Sequence, residues 1–218
     1  MRQRALIEQR PWLLASLVAG ISYWFVAESW IPGLYLIVWK GAGVALLAVY
    51  AWVHHPVRDA HRIALVMAFG ALGDMVLEVS FSGGAAAFFL GHIAAIALYL
   101  RHSRANLSAS DKAVAIALVL GIPALSFALT RNADVAGYAL LLGGMATAAF
   151  ASDFPRNRVA LGAAMFAASD LLIFSRMGPL ADSAVPQLLV WPLYYFGQFL
   201  ITVGVIGALR RKGEFAAP

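Results

Sequence analysis

The sequence predicts an all-α, polytopic membrane protein that forms a bundle of eight transmembrane helices. Apolar residues make up 62% of the 218 residues and charged residues only 12%, whereas soluble domains are about half apolar and about a quarter charged. The apolar residues fall into eight stretches, each close to the roughly 20 residues that one bilayer crossing needs. Basic residues lie mainly between these stretches, so the net charge of +5 indicates membrane orientation rather than nucleic-acid binding.

Short polar connectors join the eight predicted helices, and we expect residues 1–218 to form a single integral-membrane domain. In chain order the helices cover residues 11–28, 33–53, 61–79, 83–100, 112–130, 134–151, 157–175 and 187–209. The leader MRQRALIEQR resembles the basic start of a signal peptide. We expect a retained first helix, because the apolar run continues past any small-residue cleavage site and ends in aromatic residues and Glu28.

The distribution of lysine and arginine predicts the orientation of the helices. If the N-terminus is cytoplasmic, only Arg131 and Arg176 lie outside, and Lys40 lies within a helix. The thirteen remaining basic residues are then cytoplasmic: Arg2, Arg4, Arg10, Arg58, Arg62, Arg101, Arg104, Lys112, Arg156, Arg158, Arg210, Arg211 and Lys212. Because short cytoplasmic loops carry the excess of positive charge, both termini are predicted to be cytoplasmic and the protein to lie in the cell membrane.

Two pairs of predicted helices carry similar segments. The third helix reads ALGDMVL from residue 71 and the seventh reads AASDLLI from residue 167. The fourth reads FFLGHI from residue 88 and the eighth reads YYFGQF from residue 194. An offset of four helices predicts a parallel 4+4 repeat, in which Asp74 and Asp170 occupy equivalent, facing positions. The alternative is a chance similarity between short apolar segments.

Ionisable residues within the predicted helices identify the candidate site, because charge in the hydrocarbon layer is costly. They are Lys40, Asp74, Glu78, His92 and Asp170, accompanied by the neutral polar residues Tyr194, Tyr195 and Gln198. A rise of about 1.5 Å per residue places them at a similar depth, so we predict one polar cavity. The alternative is purely structural: Lys40 forms a buried ion pair with one of the aspartates, and His92 and Gln198 form hydrogen bonds between helices.

Several chemistries are disfavoured by what the sequence lacks. The absence of cysteine removes disulfides and thiolate nucleophiles. Neither GxSxG nor HExxH occurs, and no glycine-rich phosphate loop is present. His54, His55 and His61 have no carboxylates at metal-ligand spacing. We therefore expect no metal and no cofactor.

With these residues identified, the chain resembles the YhhN-like family, the lysoplasmalogenases. The matching elements occur in the family's order and cover about residues 33 to 205: Lys40, Gly73-Asp74, Phe88-Phe89-Leu90-Gly91-His92, Gly162-Ala163, Ser169-Asp170, Tyr194 and Gly197-Gln198-Phe199-Leu200-Ile201. The resemblance implies about eight membrane helices. It also implies hydrolysis of the vinyl-ether bond of lysoplasmalogens, which yields a fatty aldehyde and glycerophosphocholine or glycerophosphoethanolamine.

This activity assigns roles to the candidate residues. Vinyl ethers are cleaved by protonation of carbon, as glycosides are cleaved with the help of two carboxyl groups, so Asp74 and Asp170 are the predicted catalytic residues. Which of the two is the acid stays open. The predicted substrate-binding residues are Lys40, Glu78, His92, Tyr194, Tyr195 and Gln198, and the partner is a lysophospholipid within the bilayer. The alternatives are a small proton-coupled transporter with a carboxylate and histidine relay and a non-catalytic lipid-binding membrane protein.

Overall fold

A computed structural model describes residues 10–53 and 58–213. Within these ranges the chain forms α-helices and a single isolated bridge between Ser103 and Ser152. The helices are α1 (Arg10–Val26), α2 (Gly33–Trp52), α3 (Arg58–Leu77), α4 (Phe81–Arg101), α5 (Ala109–Thr130), α6 (Ala133–Ala151), α7 (Leu161–Ser175) and α8 (Ala184–Arg211), and a π-helix, Arg156–Ala160, leads into α7. The all-α bundle is confirmed. The leader up to residue 9 and His54 and His55 lie outside the described residues.

The helices have the length and surface of membrane spans. The helices α2 to α8, with the π-helix counted as part of α7, are long and apolar enough to cross a bilayer, and α1 is a shorter apolar helix of 17 residues. Large apolar side chains face outward, such as Val18, Phe25 and Leu34, which are 69%, 71% and 70% exposed. Exposed apolar side chains of this size are unfavourable in water and suit contact with lipid. The protein is a polytopic helical membrane protein.

Polar capping residues mark the starts of α5 and α6. Both helices start slightly earlier than hydropathy predicts, at Ala109 instead of residue 112 and at Ala133 instead of residue 134. The side chain of Ser108 accepts a hydrogen bond from the backbone N–H of Asp111 at 3.1 Å, so α5 begins at Ala109 rather than at residue 112. Asn132 Oδ1 accepts from the N–H of Asp134 at 2.8 Å, so α6 begins at Ala133. Such caps satisfy backbone donors that the first helical turn leaves without a partner. Hydropathy misses them because the capped turn is itself polar.

Internal contacts divide the described chain into two compact units. Unit 1 holds the described residues up to Ala94 and those from Ile206 onward, and unit 2 holds residues 95–205. In unit 1, the hydroxyl of Ser16 on α1 donates to the carbonyl of Gly43 on α2 at 2.6 Å. That residues 1–218 form a single domain stays a prediction.

Unit 2 combines close helix packing with an ionic contact at the start of α7. The Thr147 hydroxyl on α6 donates to the carbonyl of Ala115 on α5 at 3.1 Å. Arg156, which opens the π-helix, lies 2.9 Å from a carboxylate oxygen of Asp111 on α5 and stacks over the ring of Phe150 on α6. These contacts tie together the ends of α5, α6 and the π-helix, and they leave most of α5 facing outward.

Candidate functional site

Small residues set the packing of α3 against α4 in unit 1. A Cβ atom at Gly73 would lie 2.8 Å from the ring of Phe88 on α4, so any larger residue would force that ring to move. A Cβ at Gly91 of α4 would lie 3.3 Å from Phe69 Cβ and 3.8 Å from the carbonyl oxygen of Val66, both on α3. Close backbone approach at small residues is the usual way in which membrane helices pack. The residues next to these glycines, Asp74 and His92, are thereby fixed in register.

The same contact recurs between α7 and α8 in unit 2. A Cβ at Gly197 would lie 2.8 Å from the carbonyl oxygen of Gly162 and 3.4 Å from Met165 Cβ. In the predicted repeat, Gly197 corresponds to Gly91. Gly162 and Met165, which Gly197 contacts, correspond to Val66 and Phe69, which Gly91 contacts. The helix pairs α3–α4 and α7–α8 are therefore built alike.

Burial along the two repeated segments agrees with this likeness. Residues 66–75 of α3 and residues 162–171 of α7 are compared position by position. At nine of the ten positions the two residues are alike in being buried, half-buried or exposed; the exception is Leu72, which is exposed, against Ala168, which is half-buried. Asp74 and Asp170 are the ninth position of each segment and are 2% and 8% exposed. A chance similarity of apolar letters would not reproduce both the contact and the burial pattern. The repeat thus extends from sequence to the packing of each pair.

In unit 1, Lys40 forms an ion pair with Glu78, not with an aspartate as the structural alternative predicted. Gly41 packs against Met75 of α3, which brings Lys40 of the antiparallel helix α2 level with the end of α3. Glu78 is the first residue beyond that end. The lysine side chain therefore meets Glu78, one helical turn beyond Asp74.

Tyr23 of α1 joins the same group of side chains. It is buried and lies within electrostatic range of Glu78 and Asp74. The indole N–H of Trp39 on α2 donates to the Ser22 hydroxyl at 3.0 Å, which fastens α1 to α2 beside Tyr23. Unit 1 thus places an aspartate, an ion pair and a phenol near the end of α3.

Asp170 in unit 2 receives a hydrogen bond from a residue that the sequence analysis missed. The hydroxyl of Tyr138 on α6 donates to Asp170 Oδ2 at 3.1 Å. The Tyr138 ring packs edge-to-face on Phe174 at a centroid distance of 6.1 Å. A buried carboxyl group needs a hydrogen-bonding partner to offset its lost hydration, and Tyr138 supplies one.

Aromatic packing holds the polar residues of α8. Trp191 stacks on Tyr195 at a centroid distance of 5.9 Å, and Tyr194 packs edge-to-face on Phe166 of α7 at 5.3 Å. Gln198 is buried one turn further along the helix. The predicted residues of α8 are therefore held rigidly within the packed interior of unit 2.

The structure brings Lys40 and Glu78 together in unit 1, and it packs Tyr194 and Tyr195 against aromatic neighbours in unit 2. That all the candidate residues share one depth and one polar cavity stays a prediction.

Tyr23 and Tyr138 escaped the sequence analysis because its search for costly side chains began with ionisable residues. Both are tyrosines inside predicted spans, the same signal that drew attention to Tyr194. Among the residues that the structure describes, no group of three or more histidine, aspartate or glutamate side chains is close enough to hold a metal ion.

Comparison with protein families identifies the chain. A model of the YhhN family matches residues 35–205. The chain belongs to the YhhN family. The YhhN match contains every candidate residue from Lys40 to Gln198 and all four repeated segments, whereas Tyr23 on α1 lies before it. Comparisons with curated proteins and with solved structures found no match.

Proposed function

We propose that this member of the YhhN family hydrolyses the vinyl-ether bond of lysoplasmalogens within the bilayer. The products are a fatty aldehyde and glycerophosphocholine or glycerophosphoethanolamine. The observation that carries the proposal is a buried aspartate at the same position of two similarly built helix pairs, Asp74 in α3 and Asp170 in α7. Buried carboxyl groups in a membrane protein are costly and by default serve function.

The reaction needs a proton donor and a negative charge, and two carboxyl groups supply both. A carboxylic acid protonates the vinyl carbon β to the ether oxygen, which produces an oxocarbenium ion. Water adds to the cationic carbon and loses a proton to the ionised carboxylate. The resulting hemiacetal then loses its hydroxyl proton to a carboxylate as its bond to the glycerol oxygen breaks; the glycerol oxygen takes up a proton from the carboxylic acid, and the aldehyde is released. Glycosidases use the same division of labour between two carboxyl groups.

The hydrogen bond from Tyr138 acts on one of the two carboxyl groups. A phenol that donates to a carboxylate stabilises its ionised form, whereas burial stabilises the protonated form. In this proposal Asp74 and Asp170 share the two roles: one is the acid that protonates carbon, and the other is the ionised carboxylate that stabilises the oxocarbenium ion and accepts the proton of water.

The remaining polar residues of α4 and α8 fit the binding of a single-chain lipid. The aspartates lie near helix ends, five residues or fewer from the last residue of α3 or α7, whereas His92 and Gln198 lie further along the helices. In this proposal Gln198 and Tyr194 orient the attacking water or the free glycerol hydroxyl. His92 and Tyr195 line the path of the alkenyl chain beyond the reacting bond.

The charge distribution supports a proposal for the membrane in which the protein lies and for its orientation there. Thirteen basic residues on one side against two on the other favour a protein of the cell membrane with both termini in the cytoplasm. The aspartates then lie nearer the outer face, at the depth where a lysolipid of the outer leaflet presents its ether bond.

One assay separates this function from its alternatives. Purified protein in detergent is given two lysolipids with the same headgroup and chain length, one with a vinyl ether and one with a saturated ether. The hydrolase releases aldehyde from the first lipid alone. A lipid-binding protein binds both and releases no aldehyde, and a proton-coupled transporter moves protons across vesicles without changing either lipid. Absence of aldehyde with folded protein would reject the proposal.

A further inference from the structure

A hydrogen bond from Ser169, the residue that directly precedes Asp170, connects α7 to the start of α8. Ser169 is buried, and its hydroxyl donates to the backbone carbonyl of Val190 on α8 at 2.9 Å. Consecutive side chains of a helix point about 100° apart. Ser169 therefore bonds to α8, whereas the carboxyl group of Asp170 accepts from Tyr138 on α6. Asp170 thus lies beside the contact that holds α7 and α8 together.

The first two turns of α8, residues 184–190, face outward, and we call them the outer segment. Pro186 is the one buried residue of this segment. Leu188 and Leu189 are 51% and 45% exposed, and apolar side chains of this size suit contact with lipid. The next residue, Trp191, is buried. The outer segment therefore lies at the surface of unit 2, and the packed part of α8 begins directly after it.

A proline separates the outer segment from the rest of α8. Pro192 lies inside the helix. Proline has no backbone N–H, and its ring crowds the carbonyl four residues earlier, so helices bend most readily at such a position. In membrane helices, hydroxyl groups of serine and threonine often bond the backbone near a proline, as Ser169 does at Val190. The outer segment thus combines a point of bending with one hydrogen bond that holds it to α7.

The matching helix pair of unit 1 lacks both features. In the repeat Ser169 corresponds to Gly73, and with the same offset between α4 and α8 Pro192 corresponds to Ala86. Glycine has no side chain to bond the next helix, and alanine keeps the backbone N–H that proline lacks. A helix pair of this design therefore packs without the hydroxyl and without the proline. Packing alone does not explain why both occur next to Asp170.

We propose that the outer segment of α8 is a lateral gate to Asp170, with Pro192 as its hinge and Ser169 as the positioning residue that holds it closed. With the hydrogen bond formed, the segment covers the side of α7 next to Asp170, which is 8% exposed. When the bond breaks, the segment moves toward the lipid and a single-chain lipid enters from the bilayer. This inference rests on the proposed function, because it takes the entering lipid to be the substrate. It goes beyond that function by assigning the entry route and the residues that control it.

Labelling of a thiol at position 170 tests the gate without any hydrolysis. The chain contains no cysteine, so Asp170→Cys provides one thiol, and a small methanethiosulfonate reagent measures its accessibility in purified protein in detergent. Adding Ser169→Ala should speed labelling about three- to tenfold, the effect of losing one hydrogen bond. Adding Pro192→Ala restores a helical hydrogen bond and should slow labelling. Ser169→Thr keeps the hydroxyl and should label at the same rate as Asp170→Cys alone.

Helix α5 offers matched controls, because it contains a buried serine and a proline but its serine bonds its own helix. Ser126 donates to the carbonyl of Ile122 at 2.8 Å, and Pro123 lies inside α5. Ser126→Ala and Pro123→Ala should leave the labelling rate at position 170 unchanged. All the variants should label equally after unfolding in SDS, which shows that the reactivity of the thiol itself has not changed.

Kinetics of the protein with Asp170 intact give a second measurement. Pro192→Ala should lower kcat/KM for aldehyde release more than kcat, because it impairs entry and not the chemical step. Unchanged labelling in Ser169→Ala, or the same acceleration in Ser126→Ala, would overturn the gate even if aldehyde is released from vinyl-ether lipid. Faster labelling in Ser169→Ala but not in Ser126→Ala, without aldehyde release by the wild type, would support the gate and reject the proposed hydrolysis.

Discussion

The hydroxyl of Tyr138 lies 3.1 Å from Oδ2 of Asp170 and donates a hydrogen bond to it. This contact joins α6 to α7 and gives a buried carboxylate a fixed donor. Tyr23 of α1 lies within electrostatic range of Asp74 and Glu78. A phenol from another helix thus lies near each of the two aspartates.

Tyr138→Phe removes only the hydroxyl and should slow the reaction. A hydrogen bond to a charged group contributes about 1.5–3 kcal/mol, so we expect kcat for aldehyde release to fall about 10- to 100-fold, with little change in KM. Tyr35→Phe is the matched control, because Tyr35 is an exposed tyrosine at the start of α2. A Tyr138→Phe protein with normal kcat would show that the hydrogen bond only holds the helices together.

The aspartates themselves should each be essential. Asp74→Asn and Asp170→Asn should lower kcat about 10²- to 10⁴-fold, the usual contribution of general acid and base groups, and the proteins should keep the wild-type elution volume in detergent. Asp182→Asn, at an exposed position between α7 and α8, is the control. Since protonation of carbon limits the rate in this scheme, turnover of the wild type should also slow in heavy water, and EDTA should have no effect. Normal turnover by Asp170→Asn would reject the mechanism.

Much of the fold could be predicted because one physical requirement dominates this sequence. A bilayer crossing needs about 20 apolar residues, and that rule alone places the ends of the helices within three residues when the π-helix is counted with α7. Its errors fall where polar side chains decide, as at the cap formed by Ser108. The likeness of the two helix pairs was also visible, because Gly91 and Gly197 are glycines that make close contacts at matching positions.

The candidate site was only partly predictable. Hydropathy identifies Asp74 and Asp170 as costly residues, but it carries no information on which side chains meet. The pairing of Lys40 with Glu78 depends on how Gly41 packs against Met75, a contact that a one-dimensional pattern does not contain. Tyr138 carried the same signal as Tyr194, a tyrosine inside a predicted span, but its hydrogen bond to Asp170 could not be deduced from the sequence.

The glycine contacts between α7 and α8 predict a clear difference between two substitutions. A Cβ atom at Gly162 would lie 2.5 Å from the carbonyl oxygen of Gly197, which is backbone and cannot swing away. Gly162→Ala should therefore destabilise the protein by about 1–3 kcal/mol, as overpacking does, and lower its melting temperature in detergent. Gly121→Ala is the matched control, since nothing lies within 4 Å of that position in α5. Equal melting temperatures for the two variants would contradict the close packing.

The orientation of the helices is testable because the chain contains no cysteine. Asn106→Cys lies in the connection between α4 and α5, and Ala181→Cys lies between α7 and α8. With a cytoplasmic N-terminus, a membrane-impermeant maleimide added to intact cells should label position 181 and leave position 106 unlabelled until the cells are opened. The reverse pattern would invert the orientation and place the aspartates nearer the cytoplasmic face.

The last prediction concerns the distance between the two aspartates. If the repeat brings them to one reaction centre, their carboxyl groups should lie within about 10 Å, the upper range for glycosidase-like pairs. Since the natural chain offers no competing thiol, the double variant Asp74→Cys/Asp170→Cys reports this distance directly. A bifunctional maleimide of that length should cross-link the two cysteines in purified protein. When a protease then cuts the chain between them, the cross-link should hold the two fragments together in SDS.

Pairing Asp74→Cys with Asp182→Cys gives a control in which the second thiol lies outside α7 and should cross-link poorly. If both pairs react alike, or if the 74/170 pair does not react while each thiol is labelled singly, the two carboxyl groups do not share a substrate, and the mechanism fails even though each aspartate is buried.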